Sequence, residues 1–232
     1  MKDALSLSPQ LSRNEVISGW SYYAFSMLAL PIVLQYTNSI LGYPLNEARL
    51  NFVYYTLNFT AAVLLFNRFL RGSFRVAMKR LFPVLWYALL AYLGNSALSR
   101  ILLTLIRMVS PGFANINDAG IASMVGQDRM LMIIGTVFFV PVAEELFYRG
   151  LIFRHLSSRS RTLAYLVSMG VFALVHVAGY IGSASPLTLL LCFLQYLPAG
   201  YCLAWCYQNT GTILTPIVTH MIVNAYGLAN LR

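Results

Sequence analysis

Seven runs of mostly apolar residues, at about 16–41, 52–70, 83–107, 130–153, 162–181, 187–208 and 212–230, take up most of this 232-residue chain. Each is close to the roughly 20 residues a helix needs to cross a lipid bilayer. Hydrophobic residues make up 59% of the chain and charged residues 10%, with a mean hydropathy of +0.68. A soluble domain is nearer half apolar and a quarter charged. The expectation is therefore an all-α polytopic transmembrane bundle of about seven spans, folded as a single membrane domain over residues 1–232. A second, soluble domain does not fit in what remains.

The net charge of +9 raises the question of nucleic acid, but the basic residues form no stripe with stacking aromatics. They flank the apolar runs instead. Arg68, Arg71, Arg75, Lys79 and Arg80 lie between the second and third, Arg154, Arg159 and Arg161 between the fourth and fifth, and Lys2 and Arg13 before the first. With seven spans all three groups fall on one side, which the positive-inside rule makes cytoplasmic, and the C-terminus falls outside. There the charge meets anionic lipid, and Trp20, Trp86 and Trp205 come to the same interface, as an aromatic belt does. A multi-pass protein of a bacterial plasma membrane is expected, with a lipid bilayer and a peptide or protein substrate as partners and no nucleic acid. Residues 1–15 read as a retained polar tail, and 73–82 as a short amphipathic surface helix. The stretch 109–128, with Pro111, Gly112, Gly120 and Gly126, reads as the longest loop. Cys192, Cys202 and Cys206 share one apolar run and read as small core residues.

Two adjacent glutamates, Glu144 and Glu145, stand inside the fourth run, while the other five carboxylates fall in the tail, loops or segment ends. An ionisable group at membrane depth is costly unless it is paired or faces water, which marks it as functional by default. At 1.5 Å per residue Glu144 lies ~14 Å from the cytoplasmic end of its span, His176 ~21 Å, His220 ~12 Å and Asn224 ~18 Å. Four polar groups on three helices thus reach a similar middle depth. Glu145 and Arg149 are four apart and can pair; His220 and Asn224 are four apart and share a helix face. The two glutamates point about 100° apart, so Glu145 is assigned to the Arg149 pair as support and Glu144 to a polar cavity. Pro141 can bend the helix and free a carbonyl near that cavity. A carboxylate beside an imidazole can activate water as a general base, and a second imidazole with an amide can hold an oxyanion. That set suffices for amide hydrolysis. Phe172 reads as a packing residue on the His176 face, His155 as a residue of the basic loop, and Arg100 as snorkelling to the outer interface.

Glu144-Glu145-Leu146-Phe147-Tyr148-Arg149 fits EExxxR, Phe172 to His176 fits FxxxH, and His220 to Asn224 fits HxxxN. In this order they resemble the CAAX-protease and bacteriocin-processing (CPBP) family, the Abi or type II CAAX prenyl endopeptidase group, over about residues 130–230. The resemblance implies a catalytic core there and an intramembrane endopeptidase acting on a membrane-proximal, prenylated or leader-bearing peptide. It implies that Glu144 and His176 activate water, that His220 and Asn224 hold the oxyanion, and that Glu145 and Arg149 support them. Members are often labelled metalloproteases, and Glu144, His176 and His220 could supply three zinc ligands. The reading preferred here uses no metal and no other cofactor, because no paired-histidine motif preorganises such a site. HExxH is absent, and Asp118 and Asp128, read as loop residues, do not make an intramembrane aspartate pair. The competing reading is a non-catalytic immunity or scaffold protein that keeps the protease fold.

Overall fold

The computed structural model describes residues 10–230. The part of the expected tail before residue 10, Lys2 included, lies outside them. All regular structure among the described residues is helical: α1 (Arg13–Leu28), α2 (Leu30–Ile40), α3 (Glu47–Leu65), α4 (Asn67–Met78), α5 (Leu81–Val109) and α6 (Ile116–Gln127) lead to α7 (Arg129–Ser157), α8 (Arg161–Ala178), α9 (Pro186–Thr210) and α10 (Leu214–Asn230).

Each of the seven apolar runs coincides with helix, and the expected all-α membrane bundle is the observed architecture. Four helices, α5, α7, α8 and α9, are long and apolar enough to cross a membrane, and α1 with α2 makes a fifth if that pair is one span. Their axes differ by 47°, and the break at Ala29 has a sequence cause. Pro31 sits in the first turn of α2, where it has no N–H with which to continue the α1 ladder. The structure therefore supports four or five spans by length and composition, where the sequence predicted about seven.

Two expectations are corrected. The amphipathic helix expected at 73–82 is α4, which starts earlier and stops at Met78. Phe69, Ser73 and Ala77, spaced by four, are its buried face, while Arg68, Arg71 and Arg75 are exposed. The stretch 109–128 is loop only to Asn115, and the rest is α6. The Asn115 side chain accepts from the amides of Asn117 and Asp118 and caps that helix, so an N-cap outweighs two glycines of poor helix propensity.

α7 is the axis of the bundle, packed against α3, α8, α9 and α10. Half of its apolar window is buried, against 17% for α5. Leu146, Phe147, Leu151 and Phe153 of α7 build the main core with Phe66 and Phe69 on one side and Tyr207 and Ile217 on the other. α8 and α9 approach closely because residue 200 is glycine. A Cβ there would lie 3.0 Å from Cα of Met169. Small residues at such crossings are how membrane helices gain packing contact where lipid removes the hydrophobic drive.

Candidate active site

α7 is not a plain α-helix. Ile134–Phe139 and Leu146–Phe153 are π-helical, with Val140–Glu145 α-helical between them. Wide turns of this kind concentrate at functional sites. In the first of them Val140 N donates to Gly135 O, five residues back. The next donor in that register would be the N–H of residue 141, which proline lacks, so Thr136 O is left for another partner. Asn224 Nδ2 of α10 donates to it at 2.8 Å. The freed carbonyl expected from Pro141 is thus present and anchors one of the four candidate polar groups.

The two glutamates diverge as their spacing requires. Glu145 is fully buried and faces α9 and α10. Its Oε1 accepts from Arg149 Nη1 at 2.8 Å and lies 2.9 Å from His220 Nδ1. Arg149, also fully buried, donates from Nη2 to Gly200 O at 3.1 Å and lies 4.8 Å over the Phe172 ring. The same carboxylate oxygen accepts from Arg149, so His220 Nδ1 is the donor in this contact.

Glu144 faces the other way, into a chamber of about 760 Å³ whose wall also includes His176, Asn224, Thr136, Tyr196 and Asp118. A side pocket of about 90 Å³ between Tyr23, Tyr55 and Tyr148 opens on the same carboxylate. Glu144 Oε2 is buried with no hydrogen-bond partner among the described residues. No lysine or arginine among the described residues lines the chamber, so Glu144, unlike Glu145, has no cation among them holding it. Its unmet acceptor is what a water or a substrate group would satisfy.

His176 lines the same wall. Its Nδ1 is 2.8 Å from Phe172 O one turn back. A carbonyl only accepts, so Nδ1 carries the proton and Nε2 of the neutral ring is the acceptor. Phe172 packs against the His176 ring at 4.6 Å, on the shared face its spacing predicted. His220 is the exception to convergence. It is 3% exposed, lies behind the chamber wall, and meets the site through Glu145 and Phe172. Glu144, His176 and Asn224 thus share one chamber, and His220 joins the Glu145–Arg149 group.

Three residues of this wall escaped the sequence reading. Tyr196 of α9 stacks on His176, with ring centroids 4.2 Å apart and planes 28° apart. Its hydroxyl donates to Asp118 Oδ1 at 3.3 Å and accepts from Asn117 Nδ2 at 2.9 Å. Burial raises the Asp118 carboxyl above its ordinary range, opposed by the Tyr196 hydroxyl and by the field of His176. The signal was Gln195-Tyr196, a polar pair inside an otherwise apolar run. The remaining candidates are unremarkable in place: His155 and Arg100 are exposed, and the three cysteines are buried and free.

Among the described residues no three His, Cys, Asp or Glu side chains are grouped so as to hold a metal ion.

Residues 126–226 match the model of the type II CAAX prenyl endopeptidase Rce1-like family. Over that segment, a little under half of the chain, the sequence is similar to the Rce1-like family. The segment runs from the end of α6 through most of α10 and contains all seven motif residues. The family is one of CAAX proteases, which with the apolar helices makes this an integral membrane protein of protease type. No curated protein and no solved structure matches the chain. Asn117 and Asp118 lie outside the Rce1-like segment, although they complete its chamber wall.

Proposed function

We propose that the chain is a glutamate-dependent intramembrane endopeptidase, cleaving a peptide bond in a membrane-proximal peptide that is prenylated or carries a leader. The observation that carries this reading is Glu144 Oε2, a buried acceptor without a partner, on the same chamber wall as an imidazole whose Nε2 is free to accept. A water between the two loses its proton as it attacks the scissile carbonyl. The carbonyl C–O π pair moves onto oxygen as the new C–O bond forms, and the proton taken up by the Glu144–His176 pair returns to the leaving amine as the C–N bond breaks.

Asn224 spends one amide N–H on Thr136 O and has a second for the oxyanion. Donors held in advance are worth most in a site that excludes water. The resemblance assigns His220 to the oxyanion as well; here it lies behind the chamber wall on Glu145, and it acts on the site through the Glu145–Arg149 group. No tightly bound metal enters these steps.

A non-catalytic scaffold would have no use for an unpartnered carboxylate on a polar wall. The deciding experiment compares the membrane and secreted peptidomes of cells expressing the wild type or Glu144→Gln. Loss of specific cleavage products at unchanged membrane abundance is expected, and purified wild type should keep its turnover after prolonged chelation. Full turnover by Glu144→Gln would sink the reading. Stoichiometric zinc, with activity lost on chelation and restored by zinc, would make the glutamate and histidines ligands.

A further inference from the structure

α6 is tied to α9 by three side-chain links that converge on two successive residues. Asn115 Nδ2 donates to Gln195 Oε1 at 2.8 Å, Asn117 Nδ2 donates to the Tyr196 hydroxyl, and that hydroxyl donates to Asp118. The far end of α6 is tied to α3, where Gln127 Oε1 accepts from Ala48 N at 3.1 Å. Between these anchors α6 runs close over the end of α8, since a Cβ at Gly120 would lie 2.7 Å from the Tyr180 hydroxyl. The Tyr196 hydroxyl therefore has a donor and an acceptor from the same helix turn, which fixes its ring at the far end.

His176, by contrast, has a single hydrogen bond among the described residues, from Nδ1 to the Phe172 carbonyl of its own helix. One bond at one ring nitrogen leaves the plane of the ring and the direction of Nε2 to packing. Phe172 covers the ring from within α8 at 48°, and Tyr196 stacks on it from α9 at 28°. Only the second contact is referenced to another helix.

We propose that Tyr196, tethered by Asn117 and Asp118 of α6, is a positioning residue that sets the plane of the His176 ring and so aims Nε2 into the chamber. Its consequence for turnover rests on the hydrolytic reading above; the geometric claim stands without it. α6, which precedes the Rce1-like segment, thereby becomes part of the machinery it covers. A misplacement of about 1 Å in a catalytic group can cost on the order of 100-fold in rate.

The chain has three histidines, so the imidazole signals of ¹⁵N-histidine-labelled protein in detergent can be assigned by substitution. Stacking on Tyr196 shields the His176 ring protons. In Tyr196→Leu those signals should move downfield and broaden. In Tyr196→Phe they should stay shielded and broaden less, and Asn117→Ala with Asp118→Asn should reproduce the Phe variant because all remove the tether. With a fluorogenic prenylated CAAX peptide as probe, Tyr196→Leu should lower kcat by on the order of 100-fold at unchanged KM and membrane abundance, and Tyr196→Phe should recover most of it. His176 signals in Tyr196→Leu that superimpose on those of the wild type would overturn the proposal, as would an unchanged kcat. If wild type itself fails to turn over while the signals shift, the positioning claim survives and the hydrolytic reading is what fails.

Discussion

Glu144 and Glu145 are neighbours in sequence with opposite circumstances, and the difference comes from the ~100° that separates successive residues on a helix. Glu145 is buried against Arg149 and His220, while Glu144 meets a chamber with no cation on its wall. A buried pair is weak evidence of net stabilisation, but removing one partner strands the other at a cost of about 3–5 kcal/mol. Arg149→Ala also leaves Gly200 O without its donor, so the variant should lose membrane abundance and thermal stability. Arg149→Ala at wild-type abundance would show that His220 alone can hold the carboxylate. At this scale much was legible. The four-residue spacings named the Glu145–Arg149 pair and the divergence of the glutamates. They could not show that His220 turns toward Glu145 while Asn224, one turn on, reaches Thr136 O, because helix periodicity gives a face and not a side chain's partner.

The elements were legible where length and apolarity decide, and obscure where a break or a cap does. α5, α8 and α9 fall within a few residues of their predicted runs. Gly120 and Gly126 predict loop over α6, and the Asn115 side chain that caps the helix overrides them. The π turns of α7 had only Pro141 as a signal, and their register depends on contacts with α10. α8 and α9 meet at Gly200, and this contact is with backbone, Cα and O of Met169 standing 3.0 and 3.2 Å from a Cβ placed there. Backbone cannot rotate aside as a side chain can. Gly200→Ala should therefore separate the two helices, displace the carbonyl that Arg149 donates to, and lower the melting temperature in detergent. Gly94→Ala is the control, since its Cβ would meet only Cys202 Sγ at an ordinary 3.7 Å. Equal stability of the two variants would mean that the bundle relaxes freely at this crossing.

For the whole molecule the open quantity is which helices cross, and α3 decides it. α3 has 19 residues, ~28 Å of helix, nearly the ~30 Å hydrocarbon thickness, but Glu47 and Arg49 stand in its first turn. α10, at 17 residues, is ~26 Å. If both cross, with α1 and α2 as one span, the total is seven. The N-terminus then shares the cytoplasmic side with the basic groups at Arg68–Arg80 and Arg154–Arg161. If α3 does not cross, α5 and α7 still bring those two groups to one side, and the N-terminus and the α2–α3 loop both change sides. Seven exposed cations in those groups, against Lys2 and Arg13, fix them inside in either case, so the N-terminus and the α2–α3 loop together report on α3. Single cysteines on a cysteine-free background separate the cases in intact cells. Asn14→Cys and Ser158→Cys should both resist a membrane-impermeant maleimide, and Tyr43→Cys, at a position 94% exposed between α2 and α3, should react. External reactivity at 14 with protection at both 43 and 158 would remove α3 from the spans. Reactivity at 158 would invert the molecule, because no arrangement of these helices that obeys the charge rule leaves that loop outside.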